Sequence, residues 1–147
     1  MTDLTLSRPA ARDRRADRGA VAGRVLGGLA IAMLALDAGG KLFAPEAMIA
    51  NSPPLGLPAD PGFHRMLGAI LAVCTALYAW PRTAALGAVL LTGYLGGAVA
   101  THLRVDSPLL SHTLFGVYLG ALAWAGLWLR DRRLRALLEG TGKDGDL

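Results

Sequence analysis

Apolar positions along this chain are not scattered. They gather into four long stretches, at residues 21–43, 63–80, 83–103 and 109–129. Each is near the roughly 20 residues that a helix needs to cross hydrocarbon. Each is also far too long for a buried strand of a soluble fold. Backbone N–H and C=O groups in lipid must be satisfied within their own segment, so the pattern predicts helices. Pro81 and Arg82 interrupt the second and third stretches and leave a turn that only antiparallel neighbours can share. The fold class that follows is an all-α membrane protein, a bundle of four transmembrane helices.

The polar segments between these stretches set the rest of the layout. Residues 1–19 hold five arginines among small residues and three acids, too polar to bury surface against their ordering entropy. They read as a flexible basic tail. The apolar run after them exceeds the roughly 7–15 residues of a signal-peptide core, so the tail is expected to be retained. Residues 20–130 form the membrane domain, and 131–147 a second basic tail. The 44–62 connection holds five of the eight prolines. It is too long for a plain turn and is expected to fold back over the bundle, with a short interfacial helix at Pro45–Ala50 and an extended remainder.

Composition agrees with this layout. The chain is 53% hydrophobic and only 18% charged, with a mean hydropathy of +0.41. Its net charge of +4 comes from bases placed at the two ends of the chain rather than in a stripe with aromatics, which excludes nucleic acid as the partner. Arg8, Arg12, Arg14, Arg15 and Arg18 precede the first span, and Arg130, Arg132, Arg133, Arg135 and Lys143 follow the last. The 44–62 loop has no lysine or arginine. Basic flanks favour the cytoplasmic face, so the expected topology is N-in/C-in in a bacterial inner membrane. Trp80, Trp124 and Trp128 then fall toward the cytoplasmic interface. Cys74 is the only cysteine, so no intramolecular disulfide forms, and its place in an apolar run makes it a small hydrophobe. Gly23 and Gly27, Gly93 and Gly97, and Gly116 and Gly120 are spaced to share a helix face, where they let neighbouring helices approach.

The candidate chemistry lies at one end of the bundle. Asp37 and Lys41 are one helical turn apart near the end of the first span. His64 and Arg65 open the second. Thr101, His102 and Arg104 close the third. Asp106 and Ser107 follow, and Ser111 and His112 open the fourth. Asp37 lies about 9 Å inside the span end at 1.5 Å per residue, too deep for its short side chain to reach water easily. An ionisable group at such depth is costly, and pairing with Lys41 is the natural compensation. This polar cluster admits three readings. One is a proton-handling or quinone-headgroup site, since histidine titrates near neutrality. Another is a set of interfacial side chains bonded to loops. The third, a metal site, lacks the usual ligand spacing, so none is assigned.

Residues 87–104, GAVLLTGYLGGAVATHLR, followed by SPLLSHTLFGVYLGALAWAGLWLRD, resemble the DoxX-like family of small bacterial four-span membrane proteins. So do Asp37-x-x-x-Lys41-Leu42-x-x-Pro45, Leu55-Gly56-x-Pro58, and Cys74-Thr75 ahead of Tyr78-x-x-Pro81-Arg82. The resemblance covers about residues 24–138. It implies a four-helix bundle and little defined chemistry. Relatives in the wider group include subunits of quinone-linked sulfur oxidoreductases and of oxidative-stress membrane complexes. Many members carry a glutamate a few residues before the Cys-Thr position. Here residues 69–73 read Ala-Ile-Leu-Ala-Val, so any role of that acid must fall to His64 or Arg65 or be absent.

Three functions compete. The first is an accessory subunit of a quinone-linked redox system that meets a headgroup or a periplasmic partner protein at the polar mouth. The second is a small transporter, the third an interaction protein without chemistry. Self-association into a homo-oligomer is compatible with all three. A soluble enzyme is excluded, because no phosphate loop, nucleophile elbow or dinucleotide fingerprint is present. The protein is not expected to be an enzyme on its own.

Overall fold

The computed structural model describes the backbone of residues 8–50 and 55–140, and the side chains of 18–50, 55–137 and 140. The described residues form six α-helices and one π-helical turn: α1 (Arg8–Phe43), α2 (Pro45–Ala50), α3 (Pro61–Ala79), α4 (Ala84–Arg104), the π turn (Leu109–Thr113), α5 (Phe115–Arg130) and α6 (Arg132–Gly140). Among the described residues, four segments are long and apolar enough to cross a membrane: Arg18–Phe43, Pro61–Ala79, Ala84–Arg104 and Leu109–Arg130. Between 22% and 33% of each spanning window is buried inside the protein. The remaining apolar surface, Val25, Leu36, Val73 and Val89 among it, is left for lipid.

Local chemistry explains the boundaries. Pro45 cannot continue α1 and instead starts α2. Asp60 caps α3, its Oδ2 accepting from the Phe63 N–H at 2.7 Å, with Pro61 in the first turn. Pro81 ends the same helix. The corner between α3 and α4 is tied by Thr83, whose hydroxyl donates to the Leu77 carbonyl at 2.8 Å.

Two terminal segments carry helix that the sequence reading did not assign. Helix α1 begins at Arg8, so its backbone is helical through most of the stretch read as a flexible tail. Alanine and arginine both favour helix, and a preformed span supplies the nucleus they extend. Residues 1–7 lie outside the described residues. The C-terminal stretch likewise turns helical as α6, capped by Asp131, whose Oδ1 accepts from the Arg133 N–H at 2.8 Å. Residues 141–147, with Lys143, lie outside the described residues, as do Pro53 and Pro54.

The spans form a ring in which α1 and α4 each touch α3 and α5. On α1 the buried positions are Gly23, Gly27, Ala30, Leu34 and Ala38, a stripe at helical spacing. Leu34, Leu71, Tyr78, Leu91 and Leu127 fill the centre, each no more than 1% exposed. Tyr78 ties α3 to α5. Its hydroxyl donates to the Ala123 carbonyl at 2.7 Å, and the Arg130 guanidinium stands 4.8 Å from its ring centroid while donating to its carbonyl at 3.1 Å. This knot closes the end of the bundle nearer the terminal segments.

Glycines set how closely helices approach at Gly23, Gly27 and Gly116 as expected, though not at Gly93 and Gly97. A Cβ on Gly23 would stand 2.7 Å from the Arg130 nitrogen, and one on Gly126 would stand 2.6 Å from the Gly27 nitrogen. The α1–α5 seam is therefore backbone against backbone. Gly93 and Gly97 are different: a Cβ on either would meet nothing within 4 Å. Trp124 is half-buried where α5 meets α4, its indole N–H donating to the Thr92 hydroxyl at 2.9 Å.

Candidate ligand pocket

At the end of the bundle opposite Tyr78 the ring of spans opens into a pocket of about 540 Å³. Helix α1 supplies Asp37 and Lys41, α3 supplies Phe63, His64 and Leu67, and α4 supplies Gly93, Tyr94, Gly97, Ala98, Thr101 and His102. Met48 of α2 and Leu55 and Leu57 of the following loop complete the wall. The connection that the sequence suggested would fold back does so, and its apolar side chains face the same space.

Polar groups in this wall are mostly held in place by the protein. Lys41 forms an ion pair with Asp37, with Lys41 the more enclosed of the two. The order, acid one turn before base, is the favourable one on a helix. Thr101 donates to the Gly97 carbonyl at 2.9 Å, which leaves its oxygen lone pairs toward other donors. The His102 Nδ1 lies 3.1 Å from the Ser107 hydroxyl, and its ring centroid is 6.0 Å from that of His112.

His64 is the exception. The residue is 2% exposed, and its Nδ1 lies 3.1 Å from the Asp60 carbonyl oxygen. A carbonyl only accepts, so Nδ1 carries the proton in that bond. The other ring nitrogen, Nε2, is buried with no hydrogen-bond partner. Buried polar atoms left unmatched are rare and cost about 1–3 kcal/mol each.

The sequence-derived cluster is thus divided. Asp37, Lys41, His64 and His102 line one pocket. Arg65 is exposed on the outside of α3. Arg104 reaches over the mouth and donates from Nη2 to the Leu55 carbonyl at 2.9 Å, beside Gly56, whose φ of +61° suits glycine. It fastens the loop rather than lining the cavity. His112 lies in the π turn, its Nδ1 2.8 Å from the Ser111 hydroxyl. Sequence reading missed Tyr94 and took Gly93 and Gly97 for packing residues. The signal was present on α4: Gly93, Tyr94, Gly97, Ala98, Thr101 and His102 make a small or polar stripe on an otherwise apolar helix. Among the described residues no three His, Cys, Asp or Glu side chains converge as metal ligands do.

Four apolar spans around a lipid-facing exterior define a multi-pass membrane protein. The chain belongs to the DoxX-like family, whose sequence profile matches residues 25–126, from the first span into the last. That range contains every residue of the pocket wall. No curated protein and no solved structure matches the chain at a significant level.

Proposed function

We propose that this protein is an accessory membrane subunit that holds the headgroup of a membrane-soluble amphiphile of the quinone type. The observation that carries this reading is the pocket itself, about 540 Å³ of space in the drug-to-cofactor size range, apolar over most of its wall and polar at a few fixed points. A quinone ring fits the groups present. The bare faces of Gly93 and Gly97 accept a flat ring, the Lys41 ammonium and the Tyr94 hydroxyl can donate to ring carbonyls, and the lipid outside can take an isoprenoid tail. Bound there, a quinone would supply two-electron carrier chemistry, while this chain's residues bind and orient it. A transport path is less well supported, because Leu34, Leu71, Tyr78, Leu91 and Leu127 fill the bundle below the pocket.

The expected result is saturable, single-site binding of a decyl-substituted benzoquinone or its hydroquinone to purified protein, followed by isothermal titration. Changing His102 to Ala is expected to weaken it several-fold. Unsaturable partition indistinguishable from that into empty micelles would remove this function.

The reading also sets the pocket at the periplasmic mouth of an inner-membrane protein with both terminal segments in the cytoplasm. The arginines flanking the first and last spans, against a 44–62 loop without bases, support it. The native Cys74 is buried, so it gives little background to thiol labelling. In intact spheroplasts a membrane-impermeant maleimide is expected to label Ala59→Cys, and to label Arg132→Cys only after permeabilisation. The reverse pattern would invert the topology.

A further inference from the structure

We infer that the ligand of this pocket is a hydrogen-bond donor, a hydroxyl-bearing amphiphile whose O–H is given to the Nε2 of His64. The inference rests on the pocket-binding reading above and narrows the chemistry of what is bound. It starts from an imbalance in the wall. The neutral imidazole has one N–H, and the Asp60 carbonyl takes it at Nδ1, so Nε2 presents a lone pair. That lone pair has no partner and no contact with water. Nearby groups accept as well. The Thr101 hydroxyl has given its proton to Gly97, and the Asp37 carboxylate has more lone pairs than Lys41 fills. The Lys41 ammonium and the Tyr94 hydroxyl donate elsewhere in the wall, so the unmet demand for a donor is local to Nε2.

A ligand offering only ether or carbonyl oxygens leaves Nε2 unmatched and gains nothing there. A ligand offering O–H relieves the penalty of the unmatched nitrogen. Nε2 is enclosed, so the hydroxyl must enter past a side chain that yields. The hydroxyl itself has two plausible sources, a phenolic ring or the glycerol of a neutral lipid, and both share this donor chemistry.

The test compares matched amphiphiles on wild-type protein: para-decylphenol, its methyl ether para-decylanisole, and monocaprin as the aliphatic alcohol. At least one hydroxyl compound is expected to bind about tenfold more tightly than the ether. Preference for the phenol assigns a phenolic ligand, and preference for monocaprin a glycerolipid. The gap should fall below about threefold in His64→Phe and be retained in part by His64→Gln, which keeps an acceptor. Equal binding of all three compounds by the wild-type protein overturns the inference and leaves the pocket reading intact. Failure of every compound, with the quinone pair also failing, removes both. The wild-type comparison decides the matter even where His64→Phe does not fold.

Discussion

Replacing Gly87 with alanine is expected to destabilise the protein by about 3 kcal/mol or more. The added Cβ would stand 2.2 Å from the Tyr78 nitrogen, 2.5 Å from its Cα and 2.7 Å from the Leu77 carbonyl carbon. These are backbone atoms of α3 and cannot rotate aside as a side chain would. Either α4 moves away from α3 or the helix end unwinds. Both outcomes displace Tyr78, whose hydroxyl bond to Ala123 and contacts with Arg130 tie α3 to α5. The damage therefore passes from the α3–α4 corner to the opposite side of the ring. Gly96→Ala is the control: it lies on the same helix with nothing within 4 Å, and is expected to stay within about 0.5 kcal/mol of wild type. Thermal unfolding in one detergent, followed by circular dichroism, compares the two. Matching unfolding curves for Gly87→Ala and Gly96→Ala would mean that the close approach of α3 and α4 is not part of the stable fold.

That contrast also marks where sequence reading succeeds. Spans were legible because their cause is written locally. Hydrocarbon demands length and apolarity, and proline demands breaks. The second span was read as 63–80 and is Pro61–Ala79, while the third was read as 83–103 and is Ala84–Arg104. Pro45–Ala50 was legible for the same reason, since a proline cannot extend the helix before it but can open the next. The fourth span was read as one helix, yet it begins with a π turn at Leu109–Thr113. There the Thr113 hydroxyl donates to the Ser107 carbonyl at 3.2 Å, a side-chain tie across the turn that hydrophobic periodicity does not announce.

The site was legible only as a list of polar residues at one end. Which of them converge depends on helix rotation, and rotation is set by packing between segments far apart in sequence. Gly68 shows how. A Cβ there would stand 2.9 Å from the Lys41 Cβ and 3.0 Å from the Ala38 carbonyl, so α1 and α3 meet at this level without a spacer. That contact brings His64, one turn earlier on α3, into the same wall as Lys41. Arg65, the next residue, is turned outward by the same rotation. Arg104 is drawn off by a carbonyl 49 residues away, a partner invisible to spacing rules.

Gly93 and Gly97 provide the sharpest separation of a binding role from a packing role. Their spacing is that of a helix–helix contact, yet neither faces another helix closely enough for a Cβ to matter. What they face is the pocket. Leucine at both positions is therefore expected to leave the unfolding temperature within about 2 °C of wild type, in keeping with open surroundings and the small stability change that implies. The same pair of side chains would fill the flat wall against which a ring lies. Amphiphile affinity is expected to fall at least about tenfold, a loss of some 1.4 kcal/mol or more. A structural role predicts the opposite pairing of results, with stability lost as at Gly87 and affinity falling only because the protein unfolds. Intact stability together with intact binding in the double leucine variant would place the amphiphile elsewhere on the bundle, because no ring can occupy that wall once both side chains are in it.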